Sequence, residues 1–389
     1  MASVDTSERS ASRVTEESRS VAFVGPLPPP LHGFTKICAQ MLTLLEARSK
    51  VEVFDRAPRG DRAARRVAVQ LLLPFRYIAR CIKYRDISLY LALSGGFGQL
   101  YDWLYVLISR LFGVSVFIHH HSFAYLNAPT LLNRMFFALA RKQKHIVLSR
   151  GMRAALASTY GLNPDRVKII SNAAFYDSIK LNPKAGIDSS LPLCLGFLSN
   201  ITFEKGITEF FGVLAALRKR GIDYRAVIAG PVRSDVSATF TQLLAESADT
   251  VHIGPVYDET KDAFYRQLDI FLFPSKYVNE AEPLVIHEAL RSGVPVLACD
   301  RGAIAEILGN GAGFAFTQDN FVENAVTQIV QMSRNRKQLE NAQRLSFEQS
   351  QRLGSMARME LGLLLDEISG PRAPAKISAS KDACDSGFS

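Results

Sequence analysis

Several things are missing from this 389-residue chain, and each absence narrows what it can be. Its five cysteines (Cys38, Cys81, Cys194, Cys299 and Cys384) are scattered, odd in number and contain no C-x-x-C pair. A disulfide framework and a cysteine-rich zinc site are thereby disfavoured, and a reducing cytoplasm is the expected home. No run of 18 or more apolar residues occurs, so no ordinary membrane span is expected. The stretch from Val67 to Phe75 is too short and is interrupted by Gln70. The first twenty residues are polar and lack the apolar core of a signal peptide. No D-x-D triplet occurs, which argues against a divalent metal held between neighbouring carboxylates. We expect no essential metal and no cofactor. Recognition helices, zinc spacing and aromatic residues interleaved with basic ones are also lacking, so nucleic acid is not an expected partner.

What is present is a chain rich enough in apolar residues, at 48%, to bury a sizeable core, with a net charge of +9. That charge is local. Residues 56–86 hold nine Lys/Arg and two Asp, so +7 lies there, with Leu71, Leu72, Leu73, Phe75 and Ile78 beside the cations. The segment reads either as an interfacial helix on an anionic membrane or as a core helix with a solvated basic face. The first reading allows a peripheral position on the inner face of the cytoplasmic membrane.

Between polar tails at 1–20 and 371–389, short apolar runs alternate with segments of helical period. Strands are expected at 21–25, 51–55, 87–93, 115–120, 145–149 and 167–171, separated by helices such as 36–48, 62–83, 99–112 and 130–141. Residues 176–191 contain Pro, Gly, Asn, Asp and Ser and read as a linker. A second set of strands follows at 193–199, 224–230, 251–254, 269–275, 294–300 and 313–317. Strands apolar on both faces and joined through helices imply parallel sheets covered on both sides. The expectation is α/β: one doubly wound Rossmann-like domain over 21–175, a second over 192–345, and a helix over 346–370 crossing back between them.

Ligands in such sheets bind beyond the carboxyl ends of the strands. After the strand at 269–275 come Glu280, Glu282 and Pro283, then a helix that contains Glu288 and ends at Gly293. Pro283 suits a first helical position. The free N–H groups of Leu284 and Val285 could then receive a phosphate. Glu280 and Glu288 could serve hydroxyls of the same ligand. Alternatively, Glu288 pairs with Arg291 at i,i+3 and the acids before the helix serve only its dipole. Lys205, beside another helix start, is either a phosphate ligand or an ordinary exposed lysine. His119, His120 and His121 end one strand. Alternate strand residues point to opposite faces, so the three cannot easily share a metal.

The segment Glu280-AEPLVIH-Glu288 resembles the Glu-x7-Glu signature of retaining glycosyltransferases of family 4, which have the GT-B fold. Glu282-Pro283 stands where the family usually has an aromatic-Gly pair. The resemblance continues through Arg301, Gly302 and Glu306. It includes LGFLSNITFEKGITEFFGVL around Lys205, the VHIGPV stretch with Gly254, and the loop VGPLPPPLHGF with Gly25, His32 and Gly33. It covers roughly residues 21–345. By this resemblance, Glu280 contacts the transferred sugar near the reacting carbon and Glu288 holds the ribose. Lys205 neutralises the diphosphate, with Ser199 and Asn200 where many members have an arginine. The stretch containing Gly254 lies under the base, and Gly25, His32 and Gly33 form the acceptor-side loop. His119 or His121 faces the donor sugar. The implied activity is sugar transfer from a UDP- or GDP-sugar to a hydroxyl acceptor with retention, in bacterial polysaccharide or lipid-linked glycan synthesis. Two alternatives remain: a nucleotide-sugar epimerase or phosphorylase of the same fold, and a non-catalytic nucleotide-sugar-binding protein.

Overall fold

The computed structural model describes residues 19–57, 63–84, 86–176, 191–309 and 311–370, without the side chains of 63–71 and Phe97. The expected tails apart from Arg19 and Ser20, most of the expected linker and part of the basic segment fall outside the described residues.

The first domain comprises β1 (Ser20–Gly25), α1 (Gly33–Glu46), β2 (Val51–Asp55), α2 (Ala63–Lys83), β3 (Ile87–Ala92), α3 (Gln99–Leu111) and β4 (Ser115–His119). It continues with α4 (Ala124–Asn127), α5 (Leu131–Ala140), β5 (Lys144–Val147), α6 (Arg150–Tyr160) and β6 (Val167–Ile169). Its six strands pair in parallel in the order β2-β1-β3-β4-β5-β6. Alternation along β1 shows why every position is apolar. Ala22 and Val24 enter the core beneath α2, α3 and α5, whereas Val21 and Phe23 enter the one beneath α1. Both faces of the strand are buried, as the continuous apolar runs imply.

The second domain repeats the plan with β7 (Leu193–Leu198), α7 (Ile207–Lys219), β8 (Tyr224–Ala229), α8 (Ser237–Ala245), β9 (Thr250–His252), α9 (Asp258–Arg266) and β10 (Ile270–Phe273). There follow α10 (Leu284–Arg291), β11 (Val296–Cys299), α11 (Ile304–Leu308), β12 (Gly313–Phe316) and α12 (Phe321–Arg334). Its parallel order is β12-β11-β10-β7-β8-β9. The chain winds outward from β7 through β8 and β9, then returns to the other side of β7 with β10. The switch point therefore lies between β7 and β10, and there the crevice for a ligand opens at the carboxyl ends.

A final helix, α13 (Arg336–Ser369), is 34 residues long, which at 1.5 Å per residue makes it about 50 Å. Leu339 and Ala342 at its start belong to the second domain's core, while Leu361, Leu364, Leu365 and Ile368 near its end belong to the first's. Glu367 fastens the far end by ion pairs to Lys144 and Lys168.

The basic segment is helical where it is described, and its apolar residues divide. Leu73 is buried, Ile78 is half-buried, and Leu72 and Phe75 are exposed.

Candidate functional site

The loops after β7 and β10 meet at the switch point. Lys205 precedes α7, and its Nζ lies 2.5 Å from Oε2 of Glu280, in the loop after β10. The same carboxylate oxygen accepts the Ser275 hydroxyl at 2.9 Å. The Tyr277 ring lies 5.0 Å from the ammonium, which adds a cation–π contact. Lys205 is thus not a freely solvated lysine. A second pair stands nearby, with Lys276 Nζ 2.6 Å from Oε1 of Glu209 in the first turn of α7.

Two glycines allow this convergence. Gly206 has φ +82°, and a Cβ there would fall 2.0 Å from the carbonyl oxygen of Pro274. The start of α7 can therefore press against the end of β10. Gly302 has φ +55°, and its Cβ would meet the carbonyl oxygens of Glu280 and Ala281 at 2.3 Å each. Ala303 then donates its N–H to Ala281 O at 2.7 Å, holding the Glu280 loop from below.

α10 begins one residue later than the sequence implied. Pro283 is its N-cap, with extended backbone (φ −65°, ψ 125°), and Leu284 is the first helical residue. Because the chain is extended at Pro283, Leu284 and Val285 become the first two helical positions, whose N–H groups have no acceptor within the helix. Across the cleft, α1 also begins, capped by His32, whose Nδ1 accepts the Thr35 N–H. The start of α1 lies against that of α10, since a Cβ on Gly33 would be 3.6 Å from Leu284 Cδ1. Gly25 ends β1, close to Ala92 at the end of β3. Burial lowers the pKa of His32.

Glu288 is buried on the inner side of α10. Lys261 Nζ lies 2.5 Å from Oε2, and Lys36 Nζ of α1 lies 3.6 Å from Oε1. The hydroxyls of Tyr176 and Tyr265 donate to it at 3.1 and 3.3 Å. Burial alone would raise its pKa, but the Lys261 ammonium, helped by Lys36 and Tyr176, holds it below the ordinary value. Burial keeps both tyrosines protonated. The pairing of Glu288 with Arg291 is replaced by these lysines, and Arg291 lies over the Tyr176 ring.

Glu282 does more than favour a helix dipole. Its buried carboxylate accepts the Ser171 hydroxyl and, at 2.7 Å, the Asn172 N–H, and His287 Nε2 lies 2.9 Å from Oε1. These bonds join α10 to the end of the first domain. Glu306 of α11 makes a second bridge, accepting the N–H groups of Gly151 and Arg150 at 2.7 and 3.0 Å at the start of α6. Both acids lie in the stretch that the sequence singles out, but their first-domain partners are more than 100 residues away, and no local signal marks them.

The three histidines part company as strand alternation requires. His120 turns into the core, bonded to Tyr125 at 2.6 Å and His145 at 2.9 Å. His119 and His121 share the other face, with ring centroids 4.0 Å apart, and Phe34 of α1 packs on His121 at 4.7 Å. Tyr90 binds Nδ1 of His119 at 2.6 Å. Nε2 of each of these two histidines is buried without a partner among the described residues. Burial, then the neighbouring imidazoles, pushes His119 well below the usual histidine range, and burial holds His121 at about 3. Both are neutral at physiological pH.

Ser199 is half-buried and Asn200 exposed after β7. Gly254 (φ +75°) accepts the Gly230 N–H at 2.8 Å, so the loops after β8 and β9 are joined on the same side of the crevice.

Residues 183–347 match the family model described as glycosyl transferases group 1. Over 142 residues the chain is 28% identical to the lipopolysaccharide core biosynthesis mannosyltransferase of Rhizobium meliloti (strain 1021), covering 35% of this chain and 39% of that protein. The chain thus spans well under half the length of that curated relative. Among solved structures, a glycosyltransferase from Rickettsia africae superposes with a TM-score of 0.70 at 14% identity, covering 91% of this chain and 99% of that one. Anabaena HepE in complex with UDP and glucose gives a TM-score of 0.66 at 16% identity, covering 90% and 100%. At such identities the likeness is one of fold, and the fold is GT-B: two Rossmann-like domains facing across a cleft.

Proposed function

We propose that this chain is a retaining glycosyltransferase that moves a sugar from a nucleotide diphosphate donor to a hydroxyl acceptor without a metal. The observation that carries the reading is the meeting of Lys205 and Glu280 at the β7–β10 switch point, beside the start of α10. The match of residues 183–347 to group 1 glycosyl transferases supports it, as does a fold shared with a protein crystallised with UDP and glucose.

In this reading the donor diphosphate displaces Glu280 from the Lys205 ammonium and takes the N–H groups of Leu284 and Val285. Those donors act where charge grows as the leaving group departs, so they favour the transition state over the ground state. Glu280, released from its lysine, accepts hydroxyls of the transferred sugar. Glu288, kept ionised by Lys261, holds the ribose. Ser199 and Asn200 flank the diphosphate, and the Gly254 loop lies under the base. His119 and His121 present neutral imidazole toward the donor sugar. The acceptor, a glycan or lipid-linked glycan, enters over the loop from Gly25 to Gly33. Donor candidates follow from the relatives' names: UDP-glucose from the Anabaena neighbour and a mannose-bearing nucleotide from the mannosyltransferase.

Lys205→Ala and Glu288→Ala test the assignment. Each is expected to weaken UDP or GDP binding about tenfold or more in calorimetric titration, and to cut transfer in parallel. Parental affinity and turnover in both variants would overturn it.

A further inference from the structure

The outer layer of the first domain carries a surface that the nucleotide cleft does not use. α3 packs between α2 and α5, and its inner side, with Tyr105, Val106 and Ile108, belongs to the core. A surface helix normally turns a polar face to water. α3 instead exposes Leu100, Leu104, Leu107 and Leu111, at 47, 39, 44 and 76%. Steps of four, three and four residues put them on one stripe. Phe75 and Ile82 of α2, 69 and 67% exposed, extend the stripe on one side. Leu131 and Met135 of α5, 74 and 49% exposed, extend it on the other. Scattered exposed leucines need no explanation, but a face spread over three adjacent helices marks an interaction site.

Charge selects the occupant. Asp102 is the only acid between residues 87 and 143, and it is buried in an ion pair with Arg56. α2 contains no acid. Lys83, Arg110, Arg134 and Arg141 are exposed along the stripe. A second copy docked through the same face would set cations against cations with no acid to compensate. An anionic bilayer offers both an apolar interior for the leucines and negative headgroups for the cations. No described helix is long and apolar enough to cross a membrane, so the contact would be one of lying on the surface.

We propose that α3, flanked by α2 and α5, docks this chain onto an anionic lipid surface. The inference stands apart from the chemistry of the cleft. It also differs from an anchor made of the basic run 56–86 alone, because its centre is the leucine stripe of α3. That helix starts shortly after β3 ends, so its first turn, with Leu100, lies toward the carboxyl end of the sheet.

The chain supplies its own reporter. Trp103 is its single tryptophan, and it sits half-buried on α3. The full chain is mixed with sonicated vesicles of phosphatidylcholine, alone or with phosphatidylglycerol, and read by Trp103 emission and by co-sedimentation. A blue shift and sedimentation are expected with phosphatidylglycerol and not with phosphatidylcholine alone. Leu104→Gln/Leu107→Gln should lower partitioning about tenfold or more. Arg110→Gln/Arg134→Gln should lower it about 30-fold, at about 1 kcal/mol for each cation, and flatten its salt dependence. All four side chains point outward, so the parental melting temperature and circular dichroism should persist. Equal binding to neutral vesicles, or indifference to both double variants, would overturn the proposal. So would a dimer in velocity sedimentation that the leucine variant dissociates.

Discussion

Lys205 and Glu280 leave different strands 75 residues apart, yet Nζ and Oε2 are 2.5 Å from each other. The pair closes the switch point of the second sheet. In the proposed reading it is also the starting state, in which each partner satisfies the charge of the other until a diphosphate arrives. The two residues should therefore separate kinetically. Glu280→Gln keeps the shape and the cation, so nucleotide affinity should stay within a few-fold of the parent. Turnover should fall about 100-fold, because a sugar-orienting carboxylate acts mainly in the transition state. Steady-state kinetics alongside UDP titration check this. Equal losses in affinity and turnover would assign Glu280 to nucleotide binding instead.

The Glu282 carboxylate ties α10 to Ser171 and Asn172 of the first domain. Glu282→Gln removes the charge from three hydrogen bonds in a buried place. A loss of about 1.5–3 kcal/mol is expected, read as a lower urea midpoint. An unchanged midpoint would mean that the bridge contributes little to stability.

Acid should weaken the fold early. His119, His120, His121 and His145 are all neutral in the folded chain, with burial the first cause, and the values for His121 and His145 are about 3 and 4. Their folded pKa values lie below the unfolded value near 6.5, so the unfolded chain binds the additional protons. Stability is complete above about pH 7 and falls as pH drops through about 6.5, at about 1.4 kcal/mol per pH unit for each histidine, until the folded values are reached. Urea unfolding at pH 7.5 and pH 5 measures the slope, which His121→Gln should reduce by one histidine's share. Equal stability at the two pH values would contradict burial of neutral imidazole.

The strands could be read from sequence because parallel strands covered on both faces leave uninterrupted apolar runs, as in β1 and β7. The last helix was legible in part: it is expected over 346–370, and α13 begins ten residues earlier, at Arg336. α4 and α11, at four and five residues, are too short to show a period. In the site, Glu280, Glu288 and Lys205 stand out because they sit at fixed offsets from helix starts. Tyr176, Tyr265, Lys36 and Lys261 do not, because they reach Glu288 from three separate segments: the stretch after β6, α9 and α1. Glu282 looked like a dipole partner since its real partner, Ser171, is 111 residues away. Pro283 has a ring that suits a first helical position, but its extended backbone makes it the cap.

The most direct test of glycosyl transfer follows the donor carbon itself. The full chain is incubated in EDTA with UDP-glucose or GDP-mannose and a panel of hydroxyl acceptors, and the anomeric proton couplings of substrate and product are compared by NMR. The expected result is an acceptor-dependent glycoside with the donor's anomeric configuration, formed at the same rate with and without EDTA. An inverted product, a requirement for added Mg²⁺ or Mn²⁺, or a donor sugar altered without any acceptor would contradict it.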